Sequence, residues 1–309
     1  MSDSTTIPII CGPTASGKTG IAVKLSHNFP VEVVSADSRQ IFRYLDIGTA
    51  KPTPEECRAV DFHLIDIIDP GERYSAFCFI DDASAAISAI LKRNHIPLVV
   101  GGTGLYLRAL TDGVIEIDND DLTIRKRLEQ EMEHLGSLAM YERLEQIDPL
   151  EAVRLHPNNK IRVIRALEIF ELTGKTRSEL AVTGAYHKSE YSFKSFCLAP
   201  LREKLYQQIN ERVDEMMAIG LLTELKALIK KGMMEDIRKS NVIGYSELLD
   251  YLDGKYSVEE AVSLIKQNTR RYAKRQMTWF RHQGDSEFFE SPEKLEESIT
   301  YFLSRDCIL

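Results

Sequence analysis

The stretch GPTASGKT, Gly12 to Thr19, is entered from the apolar run Ile7 to Cys11 and left through GIAVKLSH, Gly20 to His27. Its spacing is G-x-x-x-x-G-K-[ST]. In this pattern the loop Gly12, Pro13, Thr14, Ala15, Ser16 and Gly17 curls its backbone N–H groups around oxyanions. Lys18 reaches the outer phosphates, and Thr19 offers a hydroxyl to Mg²⁺. The flanks agree with it: Ile7, Ile9 and Ile10 read as a buried strand, and the residues after Thr19 read as a helix whose N-terminus adds a positive dipole end. A di- or triphosphate is therefore expected here. The loop does not say whether that phosphate is hydrolysed, transferred or expelled.

Working outward, the runs Ile7 to Cys11, Val31 to Ala36, Leu64 to Ile68, Leu98 to Val100 and Phe193 to Leu198 read as strands, and DDASAAISAILKR, Asp81 to Arg93, as a helix between two of them. Strand alternating with helix predicts an α/β fold, a P-loop NTPase-like open parallel sheet flanked by helices. From about Asp118 the pattern changes. IRKRLEQEMEHLG, SLAMYERLEQID and NKIRVIRALEIFELTG carry helical periodicity, with Gly136 and Gly174 as stops and Pro149 and Pro157 in the joints. We expect residues 118–190 to be an all-helical insertion. Residues 1–117 and 191–309 would form the core, its last third largely helical.

The 309 residues are 43% hydrophobic and 28% charged, with no apolar run long enough to cross a bilayer and no basic-then-apolar leader, so a cytoplasmic protein is expected. Five scattered cysteines (Cys11, Cys57, Cys78, Cys197, Cys307) have no C-x-x-C spacing and read as ordinary thiols rather than disulfides or a zinc site. His63, His156 and His282 likewise lack metal-ligand spacing. A net charge of −8 argues against a nucleic-acid partner, but its distribution argues for one. KQNTRRYAKRQMTWFR, Lys266 to Arg281, holds six basic residues and no acid, with Lys266, Arg270 and Lys274 stepping by four and Ile265, Tyr272 and Trp279 by seven. One basic helical face, including Arg270 and Lys274, is expected to meet a phosphate backbone. Lys160, Arg162 and Arg165 form a second basic group.

Two further stretches carry chemistry. VVSADSRQ places Asp37, Ser38, Arg39 and Gln40 beyond a strand's C-terminal end, where open α/β sheets hold ligands. Asp37 there can be a general base, hold Mg²⁺ through water, or simply cap the next turn. PLVVGGTGLYL ends a strand in Gly101, Gly102 and Thr103 where a phosphate-loop ATPase usually places a metal-holding carboxylate. Those glycines admit either a tight turn or close approach to a ligand. The machinery for hydrolysis is incomplete on either reading.

GPTASGKT, VVSADSRQIFRYLDIGTAKPTPEE, HLIDIIDP followed by YSA, GGTGLYL, HPNNKIRVIRALEIFELTGKT and ERVDEMMAIGLLTEL together resemble, in order and spacing, the tRNA dimethylallyltransferases, also called tRNA isopentenyltransferases, over nearly the whole chain. The resemblance implies transfer of a dimethylallyl group from dimethylallyl diphosphate to the exocyclic amine of an adenine beside the tRNA anticodon, with Mg²⁺ as cofactor. Asp37 and Thr103 would be catalytic. The loop and Arg212 would hold the diphosphate, and Thr19 the metal. Asp37 to Gln40, Thr103, Arg125 and the segment Ile161, Arg162, Val163, Ile164 and Arg165 would touch tRNA. The chain departs from the pattern at Ile161, where many relatives have Gln, and at SNVIGYSEL (Ser240 to Leu248). It looks like the bacterial form and is expected to be monomeric. Two other readings are an adenylate isopentenyltransferase using free nucleotide, against which the helical insertion and basic helix argue, and a phosphate-loop kinase, against which the missing carboxylate argues.

Overall fold

A computed structural model describes residues 5–115, 123–183, 186–282 and 286–305. Cys307, among the thiols read above, and the expected boundary near residues 117 and 118 lie outside them. The chain divides into two compact units, residues 1–111 with 189–309, and residues 112–188.

In the larger unit the elements before the break are β1 (Thr6–Cys11), α1 (Lys18–Ser26), β2 (Val31–Ala36), α2 (Pro54–Ala59), β3 (Phe62–His63), α3 (Ala76–Lys92), β4 (Ile96–Gly101) and α4 (Gly104–Asp112). The smaller unit holds β5 (Val114–Ile115), α5 (Thr123–Ile147), α6 (Pro149–Ala152), α7 (Lys160–Thr173), α8 (Arg177–Val182) and β6 (Tyr186–His187). The larger unit resumes with β7 (Ser192–Leu198), α9 (Arg202–Ile219), α10 (Leu221–Lys230), α11 (Met234–Ser240), α12 (Tyr245–Leu252), α13 (Val258–His282), β8 (Ser286–Phe289) and α14 (Pro292–Arg305).

The sheet is six-stranded in the order β3-β2-β4-β1-β7-β8, and every pairing in it is parallel. Its apolar runs are buried on both faces, as a parallel sheet requires. Ile10, Val33, Leu98 and Phe196 face α1 and α14 through Ile21, Leu25, Ile299 and Phe302. Ile9, Val34, Val99 and Cys197 face α3, α4 and α13 through Phe79, Ile87, Leu107 and Phe280. A third cluster holds the segment after β2, through Ile41, Phe42 and Leu45, against Leu221, Tyr245, Leu248 and Ile265 of the C-terminal helices.

Two expectations need correction. HLIDIIDP is not a strand over 64–68: β3 stops at His63, because Leu64 (φ 62°) and Asp66 (φ 58°) are left-handed and break the extended run. Only a lone bridge between Phe42 and Ile68 survives there. The smaller unit is not wholly helical, since β5 and β6 pair antiparallel. The C-terminal third is largely helical, as expected, and adds the edge strand β8, whose four residues, SEFF, alternate too briefly to stand out. Within α5, Gly136 (φ 86°) breaks the helix into the two segments expected on either side of it.

Candidate active site

Strand order builds the site. Because β4 lies between β1 and β2, the loop after β4 is bracketed by the loops after the other two, and all three strands end in register, with Cys11 and Ala36 both opposite Gly101. This is the carboxyl edge at which open α/β sheets place ligands. The phosphate loop is tightened by Ser16 Oγ and Lys18 Nζ, which donate to the Pro13 carbonyl at 2.8 and 2.6 Å. α1 starts directly after Gly17, so its free N–H groups and dipole end aim into the loop.

Asp37 leaves β2 in a turn in which its Oδ1 accepts from the backbone N–H of Arg39 (2.8 Å) and, at longer range, of Gln40 (3.4 Å). The capping role foreseen for this carboxylate is thus real, yet it uses one oxygen. No hydrogen bond to Oδ2 is found among the described residues. The Thr103 hydroxyl accepts from the Ser38 N–H at 2.9 Å and lies 3.2 Å from Ser38 Oγ, joining the loop after β4 to the Asp37 turn. Arg39 donates to the Ser240 carbonyl at 2.8 Å, and Gln40 Nε2 to the Ala50 carbonyl at 2.9 Å. Both side chains therefore brace the walls of the site.

Between these loops and the C-terminal helices lies a cavity of about 230 Å³. Thr14, Asp37 and Arg212 give it charged and polar ground; Ile209, Val213, Met216, Val242, Ile243 and Ile265 give it an apolar wall. The segment 48–50 closes one side. It is pinned because Tyr245 Oη donates to Glu224 and accepts from Gly48 N–H at 3.1 Å, while Ile47 N–H donates to the other Glu224 oxygen at 3.1 Å. The departure segment from Ser240 to Leu248 is thus part of the cavity wall and its support.

The cavity's electrostatics suit an anion. Burial pushes the Lys18 ammonium down to about 8; the Asp37 carboxylate pulls it back up and Arg212 pushes it lower. Burial also lowers Arg212, against the same Asp37 charge. Lys18 and Arg212 share the Asp37 carboxylate, Glu56 and Glu215 also act on Arg212, and Arg39 and Arg275 line the same cavity, so cations predominate around it and a diphosphate would suit them. Tyr272, from α13, has its phenol pushed up to about 12 by burial and by Asp37, so it stays a neutral hydroxyl beside the Thr103 side chain.

The basic run lies on α13 as expected, but its members divide. Lys266 pairs with Asp214 at 2.6 Å and Arg270 donates to Asn210, so acids and amides of α9 answer part of the charge. Arg270 is half-buried there. Arg271, Lys274 and Arg275 are exposed and, with Thr278, Trp279 and His282, line an open groove of about 530 Å³.

In the smaller unit, Ile161 is 71% exposed and Arg162 is exposed, both in the first turn of α7, but Val163 and Ile164 are core residues packed with Leu128, Met132 and Leu144. Expecting RNA contacts from their side chains has to be corrected: helical periodicity turns them inward. Arg165 donates to the buried Glu168 at 2.7 Å, and Arg125 pairs with Glu129 at 3.0 Å and reaches Glu168 at 3.8 Å. Their charges are partly spent within the unit.

Sequence reasoning missed Gln276 and the wall formed by Glu224 and Tyr245. Tyr272 and Trp279 were visible, but as an apolar stripe. Among the described residues no group of three His, Cys, Asp or Glu is arranged to hold a metal ion. Mg²⁺ does not need one, since it is commonly bound by one or two protein oxygens together with substrate phosphates and water. The Thr19 hydroxyl at the start of α1, beside the loop, fits that donor set.

The chain matches the family model described as IPP transferase over residues 40–283 and that described as isopentenyl transferase over residues 5–66. The tRNA dimethylallyltransferase 1 of Pelobacter propionicus is 46% identical over 300 residues, 96% of this chain and 97% of the relative. The tRNA dimethylallyltransferase of Thermotoga maritima is 44% identical over 301 residues, 95% and 97% of the two chains. Among solved structures, the full-length tRNA isopentenylpyrophosphate transferase of Bacillus halodurans superposes with a TM-score of 0.69 at 41% identity, covering 98% of this chain and 96% of its own. A eukaryotic dimethylallyltransferase captured acting on tRNA gives 0.79 at 28% identity, covering 98% and 79%.

Proposed function

We infer, from the premise that this chain belongs to the tRNA dimethylallyltransferase family, that it transfers a dimethylallyl group from dimethylallyl diphosphate to the exocyclic amine of the adenine 3′-adjacent to the anticodon of tRNA, releasing diphosphate. The observation that carries the reading is the convergence of a phosphate loop, Asp37 and an apolar-walled cavity at one sheet edge, with Gly101, Gly102 and Thr103 where an ATPase would keep a carboxylate. Such a cavity suits a ligand with an anionic end and a short hydrocarbon end.

In the reaction the allylic carbon–oxygen bond breaks and its electrons leave on the diphosphate, while a carbon–nitrogen bond forms to the adenine amine. The amine's lone pair is delocalised into the ring, so a base must take its proton as the new bond forms. Asp37 is the residue we assign to that step, through the oxygen its turn does not use. The phosphate-loop N–H groups, Lys18 and Arg212 stabilise the charge that grows on the leaving diphosphate, which is electrostatic catalysis without phosphoryl transfer. The Thr19 hydroxyl would hold Mg²⁺, whose charge would supply further neutralisation of the leaving group. Thr103, joined to the Asp37 turn, would orient the adenine. Exposed basic residues of α13, and Ile161 with Arg162 on α7, are the RNA contacts we assign; the target base must leave its stack to reach the cavity.

Asp37→Asn tests this. Turnover should fall by about 10²-fold or more with tRNA affinity unchanged, because only a transition-state interaction is lost. Turnover within a few-fold of the parent would remove Asp37 from the role.

A further inference from the structure

One face of α13 is laid against the loop after β4. Tyr272, Gln276 and Trp279 are spaced i, i+4 and i+7, so they share that face. They meet three consecutive residues, Gly102 to Gly104, where that loop enters α4. The Tyr272 hydroxyl lies beside the Thr103 side chain. Gln276 Nε2 donates to the Gly102 carbonyl at 2.8 Å. The Trp279 indole occupies the space a side chain at Gly104 would need, 2.4 Å from where its Cβ would stand. A Cβ at Gly102 would likewise stand 2.4 Å from Gln276 Nε2.

Gln276 does one thing more. Its Oε1 accepts from the Thr14 N–H at 2.9 Å, so one primary amide joins the phosphate loop to the loop after β4. Gln276 is 6% exposed. A buried amide with both ends matched is held in one orientation, since reversing it would set donor against donor and acceptor against acceptor. From Gly102 the link runs through Thr103, whose hydroxyl meets Ser38 N–H, to Asp37. The loop that would hold the leaving group and the turn that would hold the base are thereby tied through a single side chain.

We propose that Gln276 is a positioning residue for prenyl transfer, fixing the separation between the phosphate loop and the loop that carries Thr103 and abuts Asp37. It touches neither substrate; it acts through Thr14 and Gly102. The inference rests on the transferase reading above. It explains why a polar side chain stands in an otherwise packed helix face, with hydrogen-bond partners 262 and 174 residues away in the chain.

The test measures kcat and KM separately, on the full chain with dimethylallyl diphosphate and tRNA, for Gln276→Leu and Gln276→Glu. Leucine keeps the bulk and removes both hydrogen bonds. Displacing reacting groups by about 1 Å can cost about 10²-fold, so kcat per folded enzyme should fall on that order with KM for tRNA changed less than about threefold. Glutamate supplies the decisive arm. Ionised, it accepts from Thr14 but repels the Gly102 carbonyl. Protonated, its hydroxyl can donate to Gly102 and its carbonyl can accept from Thr14, restoring both bonds. The ratio of its kcat to the parent's, taken at each pH, should therefore rise as pH falls from 8 to 6. A merely structural role would lower the folded fraction and leave kcat per folded enzyme unmoved.

A folded Gln276→Leu enzyme turning over within about twofold of the parent overturns the proposal. If that variant does not fold, a ratio for Gln276→Glu that is flat with pH overturns it, and a rising ratio supports it. An inactive parent is a different failure: it removes the transferase reading itself, and this inference with it.

Discussion

Raising the pH from 7 to 9 should weaken binding of the substrate diphosphate by about tenfold. The cause is Lys18, whose ammonium burial has brought down from 10.5 to about 8. A bound diphosphate supplies negative charge at that ammonium and favours its protonated form, so affinity follows the fraction of empty sites already protonated. With a single group titrating at about 8, that fraction is about 0.9 at pH 7 and about 0.1 at pH 9, a difference of about 1.4 kcal/mol in binding. The sign for stability is opposite. Between about 8 and 10.5 the unfolded chain holds a proton that the empty folded site has released, so the empty protein becomes more stable as pH rises through that window. A thio analogue of dimethylallyl diphosphate that cannot react serves as the probe, because a terminal phosphate whose second ionisation lies at about pH 6 is already about nine-tenths ionised at pH 7 and changes little above it. Titration calorimetry at pH 7, 8 and 9 gives the affinities. Lys18→Arg, which keeps a charge that does not titrate here, should be flat with pH. Equal affinity for the parent at pH 7 and pH 9 would refute the reasoning, as would a Lys18→Arg variant that falls just as steeply.

Other outcomes follow from the same structure. Glu32 is buried at the far end of β2 from Asp37, and although burial works against its ionisation, Arg93, His63 and His95 outweigh it and hold the carboxyl at about 2. Its contribution to stability is present above about pH 4.5 and is lost as pH falls toward 2. Glu32→Gln should therefore destabilise by about 3 kcal/mol at pH 7, read by urea unfolding, with turnover of the folded enzyme unchanged; loss of turnover at full folding would contradict the separation of this cluster from the site. Changing Arg271 and Lys274 to Gln should weaken binding to every tRNA tested and flatten its salt dependence by about two units of slope at most. An unaltered slope would return the exposed face of α13 to ordinary solvated charge.

The parts of this architecture that sequence makes legible are those set by local periodicity. β1, β2 and β4 are mostly apolar runs of strand length, β7 ends in the apolar Phe196 to Leu198, and the phosphate-loop motif is a fixed spacing of glycines and lysine, so the sheet, its parallel sense and the edge that carries that loop all follow. What stayed hidden depends on tertiary contact. HLIDIIDP has the composition of a strand, but Asp66 and Ile67 donate their N–H groups to Gln40 and Ile41, and the loop after β2 bends it out of extended geometry. Val163 and Ile164 sit inside a motif that reads as one RNA-facing block, yet a helix turns only part of any such block outward. Arg270 reads like its exposed neighbours until Asn210 is placed beside it. Gln276 carries no local signal, because its partners are brought to it by the fold.

On the proposed reaction, the phosphate held by Gly12 to Thr19 departs as diphosphate while an adenine amine is alkylated. The most direct measurement incubates the enzyme with Mg²⁺, dimethylallyl diphosphate and unmodified tRNA, then determines the mass of each nucleoside after complete digestion and the phosphate species released. The account predicts one adenosine per tRNA, 3′ to the anticodon, heavier by one dimethylallyl group, with one diphosphate released for each and no orthophosphate. Unmodified nucleosides accompanied by tRNA-stimulated release of orthophosphate from ATP, abolished by Lys18→Ala, would contradict it.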